Sequence, residues 1–204
     1  MLPRMASGAD GVADAYRAPV ADDDSGGRAV DAHEVPGYVV SPTKLALLHV
    51  ATMGLYGVYW FYRHWRDQKL AAMPSIWPLP RAIFSVFYAA PLFKALDLDA
   101  RTVGHAPTWN PAAHAAVFIV VNVAARVLDK VSELGEGSRG LALVALLLPL
   151  LATVPLLTAQ KVVNLSVGDP GGRSNSQLGA GGIVVVLAGG AFWLLVIVGT
   201  FMPV

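Results

Sequence analysis

Residues 45–62 read LALLHVATMGLYGVYWFY, and RHWRDQK follows over 63–69. The run carries no charge and one imidazole, His49. It closes in Tyr56, Tyr59, Trp60, Phe61 and Tyr62, then Trp65, and gives way to Arg63, Arg66 and Lys69. Apolar, then aromatic, then cationic is the order in which a helix leaves hydrocarbon through a headgroup layer. The stretch is therefore expected to be a first transmembrane helix, with Ser41 as its N-cap and Pro42 in its first turn. Gly54 and Gly57 lie three apart, Gly54 on the side of small Ala51, and a small-residue face packs closely against a neighbouring helix. The competing expectation is a break at Gly54, leaving a half-span that lines a cavity.

Composition extends the membrane reading to the rest of the chain. Of 204 residues, 55% are hydrophobic and 14% charged, with a mean hydropathy of +0.54. A soluble domain carries about 25% charged residues, and here the shortfall falls in long charge-free runs. A net charge of +1 is too balanced for a nucleic-acid partner. Cysteine is absent, which excludes disulfides, thiolate metal sites and cysteine nucleophiles. The acids Asp10, Asp14, Asp22, Asp23, Asp24, Asp31 and Glu34 stand against Arg4, Arg17 and Arg28 at the start of the chain. That stretch lacks the ~7–15-residue apolar core of a signal peptide and cannot bury enough surface to offset ordering entropy. Residues 1–40 are expected to be a disordered acidic tail, and 41–204 a transmembrane helical domain.

The expected architecture is an all-α integral membrane fold of about four transmembrane helices, at about 45–62, 112–127, 140–159 and 183–203. Residues 82–93 (AIFSVFYAAPLF), between Arg81 and Lys94, would make only ~18 Å of helix against a ~30 Å hydrocarbon core. They are expected to form one short interfacial or re-entrant helix. Pro149 and Pro155 should kink the third span. Residues 160–182 read as a flexible glycine-rich connection in which Asn164, Asp169 and Asn175 organise turns. With 82–93 on the surface, residues 63–111 and 160–182 share a side and hold most cations, so the positive-inside rule makes them cytoplasmic. That assignment requires the acidic tail to cross the membrane.

Polar groups inside a span are costly and need a reason. His114, Asn122 and Arg126 fall at offsets of eight and four and share one face of the second span. His49 lies about one turn into the first span, on the face of Thr52. Together the four are the candidate lining of a solute or proton path, since imidazole titrates near neutral pH. The plainer reading gives His49, His114 and Asn122 interhelical hydrogen bonds and lets Arg126 snorkel to the boundary. His64 and Asp67 lie three apart, but two side chains do not make a metal site and no activated nucleophile accompanies them. They read as a solvated face. No catalytic, cofactor-binding or metal-binding residue is expected.

Val40-Ser41-Pro42-Thr43-Lys44 and the core Thr52, Gly54, Leu55, Tyr56, Tyr59, Trp60, Phe61, Tyr62, Arg63, Trp65 resemble a known signature. It runs V-S-P-x-K, then T-x-G-L-Y-x-x-Y-W-F-Y-[RK]-x-W, in a family of uncharacterised bacterial inner-membrane proteins. DUF4234-like relatives carry a shorter core. Residues 81–94 are similar to the family's short Arg-flanked aromatic segment, and 164–175 to its Asn-led loop with an Asp–Pro step. The chain departs in holding one copy of the core where some relatives repeat it. The resemblance covers most of 38–203 and implies a multi-pass protein of the bacterial inner (cytoplasmic) membrane. It implies no activity.

The function expected from these features is that of a non-enzymatic membrane subunit or scaffold working through helix–helix and loop contacts. Its partners would be the lipid bilayer and either a second copy or another membrane protein. The alternative is a small oligomeric transporter or channel lined by His49, His114, Asn122 and Arg126. A third reading, an enzyme on a lipid-like substrate, needs His64, Asp67 or His105 and a cleft joining His64 to His105.

Overall fold

The computed structural model describes residues 37–134 and 139–201, and no strand occurs among them. Eight α-helices follow one another: α1 (Pro42–Ala51), α2 (Leu55–Ala71), α3 (Pro78–Ile83), α4 (Ser85–Thr102), α5 (Pro111–Leu134), α6 (Arg139–Leu147), α7 (Thr153–Ser166) and α8 (Ala180–Phe201). A 3-10 stretch, Leu148–Ala152, joins α6 to α7 around Pro149, which has no N–H to continue an α ladder. Among the described residues three runs are long and apolar enough to cross a membrane: Pro111–Glu133, Arg139–Ser166 and Ala180–Thr200. Most of the expected acidic tail, residues 1–36, lies outside the described residues. Its last part does not read as a tail, because Tyr38 and Val40 are buried in the core.

The opening apolar stretch is not one helix. Helix α1 ends after ten residues at Ala51, and α2 starts at Leu55. Between them Met53 (φ 49) and Gly54 (φ 89) take left-handed backbone angles. A continuous helix from Pro42 to Arg63 would hold its ends ~32 Å apart. Instead the Arg63 guanidinium lies 4.4 Å from the ring centre of Tyr38, and the Tyr38 and Tyr56 hydroxyls are 3.0 Å apart. The chain doubles back, so α1 and α2 form an antiparallel hairpin with its tip at residues 52–54. This corrects the expectation of a single span over 45–62.

A broken helix leaves backbone groups without partners, and this tip supplies them. Thr52 N donates to the Leu48 carbonyl at 3.0 Å, Met53 N to Val50 at 3.1 Å and Gly54 N to His49 at 2.8 Å. The Thr52 hydroxyl donates to Leu48 O at 2.8 Å and accepts from Tyr56 N at 2.8 Å, closing α1 and capping α2 at once. Trp193 Nε1 on α8 adds a donor to Val50 O at 3.0 Å. The tip also meets the middle of both neighbouring runs. Gly189, near the centre of α8, sits so close to the Ala51 carbonyl that no Cβ fits there, and a Cβ on Gly54 would stand 3.9 Å from Pro149 Cβ. Close packing is thus found at Ala51 and the break at Gly54.

The reversal changes what the aromatic cluster does. Trp60, Phe61 and Trp65 are fully buried. Phe61 packs at 6.4 Å on Phe93 of α4 and at 5.2 Å on Phe118 of α5. They form the core rather than an interfacial belt, because α2 returns through the bundle with α4 and α7 against it. The short helix expected over 82–93 is also redrawn: the chain bends at Phe84, and α4 continues past Lys94 to Thr102. Charges do not stop it, since Lys94 is exposed and Asp97 pairs with Arg101 one turn on at 2.8 Å. Ala89, Leu92, Phe93, Leu96 and Ala100 form its buried stripe, while Trp77, Ile83, Phe84 and Phe87 project outward. Likewise α7 runs beyond residue 159 to Ser166.

Candidate functional site

A buried polar cluster fixes the hairpin to α7. Gln160 and Asn164, one turn apart on α7, are both fully buried. Gln160 Oε1 accepts from Trp60 Nε1 at 2.6 Å and from His64 Nε2 at 3.3 Å. An amide oxygen only accepts, so His64 carries its proton on Nε2. Gln160 Nε2 donates to the Tyr38 carbonyl at 2.9 Å and to Asn164 Oδ1 at 2.7 Å, and Asn164 Nδ2 donates to the Val40 carbonyl at 3.0 Å. Every capacity of the Gln160 amide is therefore used, and residues 38–40 are strapped onto α7. Burial pushes the His64 imidazole down to about 3, against the pull of the Gln160 bond. His64 and Asp67 are thus buried, correcting their reading as a solvated face.

Two cavities flank the hairpin tip. The first, about 590 Å³, lies between the tip, α5 and α6. His49, Asn122 and Arg126 all line it, together with Asp129, Gly54 and Pro149. His49 is 2% exposed, and neither ring nitrogen reaches hydrogen-bond geometry, the Pro149 carbonyl lying alongside. Gly57 makes room for it: a Cβ there would stand 3.2 Å from His49 Cε1. Asn122 Nδ2 donates back along its own helix to Phe118 O at 2.8 Å, which leaves its Oδ1 free to accept. Arg126 and Asp129 are exposed at the α5 end of the cavity.

The second cavity is an open groove of about 900 Å³ between residues 37–39, α1, α2 and the first turns of α8. Tyr38, Tyr56 and Tyr59 line it with Lys44, Arg63, Asp67 and Asn175. Lys44 Nζ donates to Asn175 Oδ1 at 2.6 Å and to the Gln177 carbonyl at 2.7 Å. Arg63 rests on the Tyr38 ring and donates to Tyr59 Oη at 3.0 Å. Burial pushes the Asp67 carboxyl up, with Arg63 and Arg66 opposing. The two cavities share Thr52 and Leu55 in their linings.

Of the four candidate lining residues, three meet and one does not. His114 sits in the first turn of α5, with Nδ1 2.8 Å from the Asn110 carbonyl and its ring against Trp109, and it lines neither cavity. Nor do His64 and His105, so the cleft that an enzyme reading needs is not found at either cavity. Among the described residues no three His, Asp or Glu side chains group as a metal site. The loop after α7 holds more order than expected. Asp169 accepts from Arg173 N and Ser174 N, each at 2.9 Å, and Asn175 donates to the Val39 carbonyl at 2.8 Å. Sequence reading missed Lys44, Tyr38 and Gln160; only the hairpin's reversal brings them to these places. No protein-family model matches the chain, and no curated protein or solved structure is similar to it.

Proposed function

We propose that the chain is a polytopic membrane protein of three spans and one re-entrant hairpin, α1–α2, and that it passes protons or a small polar solute along the His49 cavity. The observation that carries this reading is the meeting of His49, Asn122 and Arg126 at one cavity beside an unwound tip. Irregular backbone at membrane depth is tolerated where it is buried in protein or lines a cavity, and both conditions support a path here. The resemblance of residues 40–65 to the uncharacterised family supports a bacterial inner membrane as its location. On this reading Lys44, Arg63, Arg66, Lys69, Arg81, Lys94, Arg101, Lys161 and Arg173 share one side, against Arg126, Lys130 and Arg139. The positive-inside rule makes the first side, including residues 63–111, cytoplasmic, and the acidic tail then need not cross.

The test is proton flux into liposomes holding the purified chain, read with an enclosed pH-sensitive dye, beside a swelling assay with small polar solutes. Flux above empty liposomes is expected, and His49→Leu or Asn122→Leu should lower it at least about tenfold. Wild-type vesicles that move nothing, or a His49→Leu variant that conducts as well as wild type, would remove the reading.

A scaffold role keeps one specific observation in its favour. Only about 6% of the apolar length of helix α8 is buried, and its main packing partner is α1. Its outward face suits a second copy or another membrane protein. Native mass spectrometry from nanodiscs checks this: a dimer or higher oligomer supports it, and a monomer at all concentrations opposes a second copy.

A further inference from the structure

The permeation reading leaves the 900 Å³ groove without a use. It approaches the upper end of the range for ligand pockets, about 300–1,000 Å³, and its lining is mixed. Lys44, Arg63 and Asp67 lie toward the open ends of the hairpin, and apolar Leu48, Leu55 and Val185 share the remaining lining with Thr52, Tyr56 and Tyr59. Leu55 on α2 is 70% exposed and Val185 on α8 is 36% exposed, so the apolar side chains of the lining reach the molecular surface.

The cations are held in an unusual way. Lys44 is fixed by the Asn175 amide and the Gln177 carbonyl, and Arg63 by a tyrosine hydroxyl and a tyrosine ring. All of these partners are neutral. Neither cation forms an ion pair among the described residues; Asp67 pairs with Arg66 instead, at 3.9 Å. Arg63 Nε is also buried without a partner. Lys44 and Arg63 outweigh the one carboxylate beside them, Asp67, which Arg66 shares. That surplus positive charge, the Arg63 donor and the neighbouring apolar side chains suit a ligand with an anionic head and a hydrocarbon chain.

We propose that the groove binds an anionic membrane lipid, its phosphate or carboxylate head at Lys44 and Arg63 and its chain over Leu48, Leu55 and Val185. A head with exchangeable acceptor oxygens takes up charge-assisted bonds from both cations. The tyrosine platform pre-orders Arg63, so little side-chain entropy is lost on binding. The site also lies on the side to which the basic residues assign the cytoplasm, where anionic lipids are concentrated. It does not rest on the permeation reading, since His49 lines only the other cavity.

Native mass spectrometry of the full chain in detergent tests this directly, with phosphatidylglycerol, phosphatidylcholine and glycerol 3-phosphate as probes. Phosphatidylglycerol should be retained at about tenfold lower concentration than phosphatidylcholine, the size expected for one charge-assisted contact. Lys44→Gln and Arg63→Gln should each erase most of that preference. Leu55→Trp, at an exposed position, should weaken lipid retention with the melting temperature unchanged, and it carries the test if either cation variant fails to fold. His49→Leu should bind lipid as wild type does. Equal retention of the two lipids would overturn the proposal, as would folded Lys44→Gln and Arg63→Gln proteins that keep the preference, or a Leu55→Trp variant without effect. Glycerol 3-phosphate binding as well as the lipid would assign the groove to a free anion and overturn it too.

Discussion

At Gly54 a φ of 89 lies where an L side chain is strained, so Gly54→Ala should cost about 1 kcal/mol or more. Met53, at φ 49, already bears that strain, and Met53→Gly should be neutral or slightly stabilising in the same melting experiment. Thr52 and Gly54 thereby gain a physical reason: Thr52 closes one helix and caps the next, and Gly54 makes the turn. Gln160→Leu should be worse than either change. It strands the Trp60 N–H, the Tyr38 carbonyl and the Asn164 amide, at about 3 kcal/mol, and should release residues 37–41 to protease. His64 adds a pH dependence. Its folded-state value of about 3 lies below the ~6.5 of an unfolded histidine, so between these the unfolded chain binds a proton that the folded chain refuses. Stability from this group is complete above about pH 6.5 and is lost as pH falls toward 3. Relative to wild type, His64→Phe should flatten denaturation stability across that window; an unchanged slope would contradict the buried neutral imidazole.

Among the elements, α8 depends on one close approach. Gly189 has no room for a Cβ against Ala51, whereas a Cβ on adjacent Gly190 would meet nothing within 4 Å. Gly189→Ala should therefore destabilise the docked helix by about 1–3 kcal/mol through overpacking, and Gly190→Ala should be neutral within about 0.5 kcal/mol. Equal effects of the two would mean that α8 does not dock through this face. Two of the long apolar runs, Arg139–Ser166 and Ala180–Thr200, were readable from sequence because absence of charge over twenty residues is a property of the run itself. Pro111–Glu133 was the weaker signal because Arg126 interrupts it. The break at Gly54 was legible only as the competing expectation. The doubling back was not legible at all, since residues 45–62 have the composition of a span and only backbone angles at Met53 and Gly54 break it. The extent of α4 was missed because Lys94 and Asp97 look like an end, yet they lie where a helix can carry them outside the core.

For the whole molecule, the doubling back decides both topology and site. His49, Asn122 and Arg126 were visible as costly polar residues in apolar runs, and two of them share a helix, so their common face followed from spacing. Their meeting with His49 depended on where the tip stops against α5 and Pro149, which no local pattern states. The groove was less legible still: Tyr38 belonged to an apparent tail, Lys44 to a helix start and Arg63 to an apparent membrane exit. They converge because α1 and α2 are antiparallel. The same reversal puts residue 37 beside the part of α2 that holds Arg63. The chain has no cysteine, so single cysteines introduced at Ser25, Leu70 and Ser138 can be probed in intact cells with a membrane-impermeant maleimide, before and after permeabilisation. A re-entrant hairpin predicts that positions 25 and 70 are protected together until the membrane is opened, while 138 labels from outside. Labelling of 25 and 70 from opposite sides would contradict it.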